Sequence, residues 1–182
     1  MSIRDKVLPP KRRPSINSKD KGNANERAVA KWLSAWTGKN FVRTPSSGGL
    51  RWQNSLGLNI CGDVVCTNQG HVFPFTVETK HLKDISFKVT DASGNMRRNA
   101  QVLSIFIQSN RDAIRDGKHP LMLLRCNGMP KDTWWIFIPT RLYSVLPIIP
   151  NTYKRLRVDN LMGIHSEDLK KVNYDELCKA LH

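Results

Sequence analysis

Apolar residues first recur at helical spacing between Asn23 and Gly38, where Val29, Ala30, Trp32, Leu33 and Trp36 share a face and Gly38 supplies a C-terminal stop. Phe41, Val42 and Arg43 then read as a short strand. Pro45, Ser46, Ser47, Gly48 and Gly49 cannot continue it, so a loop is expected through Asn59. Two β-rich runs follow, Ile60–Cys66 and Val72–Lys80, separated by the turn residues Asn68, Gln69 and Gly70. The stretch from His81 to Asn95 is irregular, and helical periodicity returns from Arg97 to Asp116, closed by Gly117 and Pro120. Leu121–Cys126 and Trp134–Ile138 read as strands, Leu142–Leu146 as a helical turn, and Ser166–Leu181 as a last helix. Helix, three strands, helix, two strands predicts an α/β (α+β) fold with a central mixed sheet flanked by helices.

The first 21 residues break this patterning, because Pro9, Pro10 and Pro14 alternate with Lys6, Lys11, Arg12, Arg13, Lys19 and Lys21. Such a segment buries no face of its own and is expected to be a basic arm. The expected organisation is an arm over residues 1–21, a core over 22–138 and a C-terminal helical extension over 139–182. A chain of 182 residues, 40% apolar, supports one such core. Its formal net charge of +14 draws polyanions, nucleic acid first among them.

No run approaches the eighteen or so apolar residues of a membrane span, and Met1–Asp20 lacks the apolar segment of a secretory signal. A soluble cytoplasmic protein is expected, in the host cytoplasm if the chain is virus-encoded. Cys61, Cys66, Cys126 and Cys178 lack zinc-site spacing, as do the five histidines, so no structural zinc is expected.

The candidate chemistry lies in the two middle strands. In Phe75-Thr76-Val77-Glu78-Thr79-Lys80 the period of two sends Thr76, Glu78 and Lys80 to one face and Phe75, Val77 and Thr79 to the other. A carboxylate and an ammonium then stand about 6–7 Å apart at Cα. Asp63 sits in Cys61-Gly62-Asp63-Val64-Val65, an acid among core residues with a glycine beside it that leaves room for a ligand. Alone, Glu78 and Lys80 could be an ordinary ion pair on a solvated strand face. Together with Asp63, they impose a desolvation cost that a shared cation or mutual pairing would offset. Two carboxylates and a lysine meet the minimum for phosphodiester hydrolysis: a hard cation that takes carboxylate oxygens, an activated water, and positive charge near the phosphate. Glu26 lies three, four and seven residues before Val29, Ala30 and Leu33 and so falls on the inward stripe of the first helix. Two readings stand for it: participation in a metal site, directly or through water, and a capping box with Asn23 as N-cap.

These residues, in this order, resemble a known family. Gly22-Asn-Ala-Asn-Glu26-Arg27, Arg43-Thr-Pro-Ser-Ser47-Gly48-Gly49, Gly62-Asp63-Val64-Val65 and Val77-Glu78-Thr79-Lys80 are similar to the motifs of archaeal Holliday-junction resolvases and their phage-encoded relatives in the PD-(D/E)XK superfamily. The resemblance spans residues 22–138. It implies a restriction-endonuclease-like core and Mg²⁺, with Mn²⁺ able to substitute, held by Asp63, Glu78 and the Thr79 carbonyl. Lys80 would orient or activate the water, Glu26 would match the first-helix acid, and Ser47, or its neighbour Ser46, the hydroxyl of a loop that approaches the cut strand. Gln108 corresponds to a second-helix position of the phage members, and an exposed helical amide is its plainer reading. Gly62 stands where many relatives carry the proline of the motif.

The function so implied is metal-dependent, structure-selective cleavage of branched or double-stranded DNA, with resolution of four-way junctions by a homodimer as its specific form. Arg43, Arg51, Lys83, Lys88, Arg97 and Arg98 are candidate phosphate contacts, and Trp52 is a candidate base-stacking residue or an apolar loop anchor. The alternatives are a restriction-like or repair nuclease of the same superfamily and a non-catalytic nucleic-acid-binding protein that keeps the fold.

Overall fold

A computed structural model describes residues 17–44, 61–85, 100–144, 146, 155–158 and 160–181. Ser46, Ser47, Arg51, Trp52, Lys88, Arg97 and Arg98 lie outside the described residues.

Helix α1 (Ser18–Thr37) opens on Asn17, whose side chain accepts a hydrogen bond from the Lys19 amide, and closes on Gly38 at φ 69°, whose N–H donates to the Ser34 carbonyl. Strands β1 (Phe41–Arg43), β2 (Val64–Cys66) and β3 (Phe75–Leu82) run antiparallel in succession. Helix α2 (Ala100–Arg115) crosses over to β4 (His119–Cys126), which lies parallel to β3 over eight register pairs from Phe75↔His119 to Leu82↔Cys126. β5 (Trp135–Pro139) turns back against β4, and a short helix α3 (Thr140–Tyr143) follows. β6 (Arg155–Val158) and β7 (Leu161–His165) form a closing hairpin, then come α4 (Ser166–Leu169) and α5 (Tyr174–Leu181). The sheet has seven strands in the order β1-β2-β3-β4-β5-β7-β6 and is mixed, with helices on both faces.

Period-two alternation along β3 and β4 supplies two cores. On one face Val29, Leu33 and Trp36 of α1 pack with Phe75, Val77, Leu121 and Leu123, joined by Tyr174 and Leu177 of α5. On the other, Val102 of α2 packs with Met122, Leu124 and Phe137. Burying side chains such as Leu33 contributes about 1.5–3 kcal/mol each. Trp36 also donates from Nε1 to the Val172 carbonyl at 2.9 Å, which ties α1 to the segment before α5.

Several boundaries differ from the sequence reading. α1 starts at Ser18, inside the expected arm, because Asn17 rather than Asn23 caps it, so the capping-box reading of Glu26 falls away. Residues 139–182 are not a helical extension beside a finished core. β7 pairs with β5 from Trp135↔His165 to Pro139↔Leu161, and α5 buries Tyr174 and Leu177 in the larger core. The expected helix 166–181 is two helices, with Asn173 between them accepting from the Asp175 and Glu176 amides. No helix among the described residues is long and apolar enough to cross a membrane.

If the C-terminal segment is part of the core, Leu177→Ala costs about 2–5 kcal/mol. A denaturant titration checks this, and a loss well under 1 kcal/mol would show α5 to be peripheral.

Candidate functional site

The candidate site is built where β2 leaves β3. The two strands share one register pair, Val64↔Val77, and N-terminal to it the chain turns through Cys61, Gly62 and Asp63. The Asp63 amide donates to the Val77 carbonyl at 2.8 Å, and the Asp63 carboxylate accepts from the Thr79 amide at 2.9 Å. A side chain thus takes the hydrogen bond that a neighbouring strand would otherwise make. Gly62 allows the approach, since its φ is +95° and a Cβ there would lie 2.6 Å from the Val77 carbonyl oxygen. Proline, locked near −65°, cannot adopt this backbone, so the departure from the usual motif has a local steric cause. Thr44 fastens the turn from the β1 side, donating from its amide to the Asp63 carbonyl and from Oγ1 to the Gly62 carbonyl, both at 2.9 Å.

Lys80 joins the two candidate carboxylates. Its Nζ lies 2.6 Å from Glu78 Oε1 and 3.9 Å from Asp63 Oδ2. Both carboxylates therefore reach one point at the open edge of β3. Glu78 is 5% exposed, and its Oε1 receives charge from Lys80 but no hydrogen bond of good geometry. Burial pushes the Glu78 carboxyl pKa up, and the neighbouring Asp63 charge adds to the rise against the opposing pull of Lys80. Burial likewise raises Asp63 against the Thr79 hydrogen bond and the Lys80 charge. Lys80 goes up as well. Burial lowers it, but the Glu78 hydrogen bond and the two carboxylate charges outweigh that, and it stays protonated at neutral pH.

Glu26 sits at the border of the α1 stripe and makes an ion pair with Arg43 of β1, within electrostatic reach of Asp63 and Lys80. The polar residue on the inward stripe itself is its neighbour Asn25, 4% exposed. Asn25 Nδ2 donates to Thr79 Oγ1 at 2.8 Å and its Oδ1 accepts from Trp134 Nε1 at 2.9 Å, a buried chain that fixes the height of Thr79 against α1. Sequence reasoning missed Asn25, although it lies four residues before Val29 and breaks an apolar stripe. It also missed Asp112 of α2, whose charge contributes to raising Glu78 and which pairs with Arg115 at 3.1 Å. Gln108 is exposed on α2 one turn before Asp112, and Lys83 is exposed just beyond β3.

A family model described as "phage putative PDDEXK endonuclease" matches residues 17–178. The chain belongs to this family. It is therefore a PD-(D/E)XK protein, and the match runs through the C-terminal strands and helices that the motif resemblance did not reach. No curated protein and no solved structure matches the chain.

For a PD-(D/E)XK protein the donor set is suited to a hard divalent cation. It offers two carboxylates and a strand carbonyl, all oxygen, with one buried Glu78 oxygen lacking a hydrogen-bond donor. Among the described residues no group of three or more His, Cys, Asp or Glu side chains converges as a metal cluster, which leaves a two-carboxylate arrangement of the kind Mg²⁺ accepts.

Two predictions follow from this geometry. Gly62→Ala is strained in both backbone and contact and should lower stability by about 1–3 kcal/mol; a melting temperature equal to wild type would mean that the turn is not held as described. The raised carboxyl pKa values mean that, in chelator, the folded protein binds protons more tightly than the unfolded chain, so stability falls as pH rises through the raised titration range. Glu78→Gln removes part of that cost and should melt higher than wild type in chelator at neutral pH, with a flatter pH dependence. A lower melting temperature would show that pairing with Lys80 outweighs burial.

Proposed function

We propose that this protein is a divalent-metal-dependent endonuclease that hydrolyses phosphodiesters in DNA, with four-way junctions as its preferred substrate. The observation that carries the reading is the meeting of Asp63, Glu78 and Lys80 at the stretch of β3 that β2 leaves open. A backbone phosphate can approach there without breaking a strand pair.

In this reading Asp63, Glu78 and the Thr79 carbonyl hold Mg²⁺, or Mn²⁺ in its place. The cation supplies a Lewis acid to the phosphate oxygen and lowers the pKa of a bound water. The Lys80 ammonium, kept protonated by the two carboxylates, orients the attacking water by donating to it and offsets negative charge developing on the phosphate. Asn25 and Thr79 keep the carbonyl and the adjacent amide in register with Asp63. Glu26, held by Arg43, adds negative potential beside Lys80 and is an outer-sphere candidate. Ser47, or Ser46, would come from the loop after β1 towards the cut strand. Arg43, Arg51, Lys83, Lys88, Arg97, Arg98 and Gln108 are proposed DNA contacts.

The net charge of +14 supports a DNA substrate, and the ordered motifs shared with junction resolvases support the branched form. A homodimer would supply the two symmetric cuts that a junction requires.

Cleavage of a synthetic four-way junction, a flap and a linear duplex, side by side in Mg²⁺, tests the proposal. Wild type should cut the junction preferentially. Asp63→Asn, Glu78→Gln and Lys80→Ala should each lose about 100-fold or more in rate while still binding it. Cutting of linear duplex alone would overturn the junction preference and leave the nuclease, whereas undiminished cutting by Asp63→Asn would overturn the site.

A further inference from the structure

A second charged cluster lies just beyond the candidate site, at the C-terminal ends of β3 and β4. His81 follows Lys80 in β3 and stands in register with Arg125 of β4. Lys21, in the first turns of α1, reaches across the sheet and donates from Nζ to Asn127 Oδ1 at 2.8 Å. Arg125 is held in place by its Nη2 donating to the Pro130 carbonyl at 3.2 Å and by its guanidinium lying 5.9 Å from the centre of the Trp134 ring. Lys21 and Arg125 thus flank one imidazole. Neither makes an ion pair with a carboxylate among the described residues, although Arg43, Lys80, Arg115 and Lys171 all do. Burial and these two cations press the His81 pKa down to about 4, so its ring is neutral at physiological pH.

Two cations brought together without a carboxylate repel each other, and the arrangement is stabilised when an anion arrives. Lys80 marks the distance: the cluster begins one residue further along β3, about 3.3 Å of strand rise away. A DNA strand advances about 3.4 Å along its axis per nucleotide, so a backbone with one phosphate at the open edge of β3 can set another within a few nucleotides of the cut against this cluster. Asn127 and neutral His81 add polar groups able to hydrogen-bond phosphate oxygens.

We infer that Lys21, Arg125 and Asn127, around His81, form a contact for a backbone phosphate flanking the cut. The inference rests on the proposal that DNA is the substrate, and it adds a surface on the α1 face of the sheet that positions the strand without reading its sequence. Lys21 and Arg125 are positioning residues in this role and take no part in the chemistry.

Anisotropy titrations of a labelled four-way junction across a salt series, in chelator, test it with Lys21→Ala and Asn127→Asp. Both substitutions change groups at the protein surface, and thermal melts check that the fold is kept. Lys179→Ala, exposed on α5, reports the effect of simply removing one positive charge. Loss of one phosphate contact should reduce the slope of log K against log salt by about 0.9. Lys21→Ala should show that change with about a 3–10-fold loss of affinity at low salt, Lys179→Ala a smaller one, and Asn127→Asp a loss at least equal to that of Lys21→Ala. Cleavage rate at saturating DNA should stay at the wild-type value, with the deficit confined to KM. Slopes and affinities for Lys21→Ala and Asn127→Asp no different from those of Lys179→Ala would overturn the contact. That result, with wild type binding and cutting normally, leaves the nuclease proposal standing; failure of wild type to bind DNA at all would overturn both.

Discussion

The early divergence of β2 from β3 is the constraint on which the arrangement depends. A strand edge has amides and carbonyls that must find partners, and past Val77 the β2 side of β3 has no strand to supply them. The Asp63 carboxylate answers the Thr79 amide instead. One hydrogen bond thereby completes the backbone of β3 and brings an acid to the strand that carries Glu78 and Lys80. The glycine before Asp63 makes the turn tight enough, with its α-carbon pressed against the Val77 peptide where no side chain fits. Fold and candidate chemistry share the same few atoms.

The charges there are held at a cost. Glu78 is nearly covered, both carboxyl groups titrate above their ordinary range, and Lys80 can satisfy their charge but not their full hydrogen-bonding capacity. Such a constellation is unfavourable in isolation and becomes favourable when a cation and an anionic substrate enter, as expected of a binding site and not of a structural ion pair. Around it the scaffold is stiff. Asn25 locks Thr79 to α1, Thr44 locks the turn to β1, and the paired strands β3 and β4 carry the load between two apolar layers. Membership of the phage PD-(D/E)XK endonuclease family fits a rigid sheet presenting oxygen ligands at an open edge.

Much of this was legible in the sequence where one period dominated. The alternation in Phe75–Lys80 is strict, so it placed Phe75 and Val77 in the α1 core and Glu78 towards α2, as the structure has them. The helical stripe from Val29 to Trp36 was equally plain. Signals failed where contacts are long-range. β6 and β7 are short and owe their existence to pairing with β5 and each other, which no local pattern announces. The start of α1 is set by the Asn17 cap, hidden in a lysine-rich segment that reads as an arm. Glu26 was assigned to the inward stripe one position away from the true buried polar residue, because 100° per residue leaves neighbouring positions hard to separate near the edge of a stripe. Asn25 became visible only through its partners Thr79 and Trp134, 54 and 109 residues away.

The central claim is that Asp63 and Glu78 bind one divalent cation together with the Thr79 carbonyl. Diffraction from crystals soaked in Mn²⁺, collected at a wavelength where manganese scatters anomalously, tests it most directly. The account predicts an anomalous peak coordinated by both carboxylates and that carbonyl, and absent from crystals of the Asp63→Asn variant. Manganese bound elsewhere, with residues 63 and 78 still paired to Lys80 and empty of metal, would contradict it.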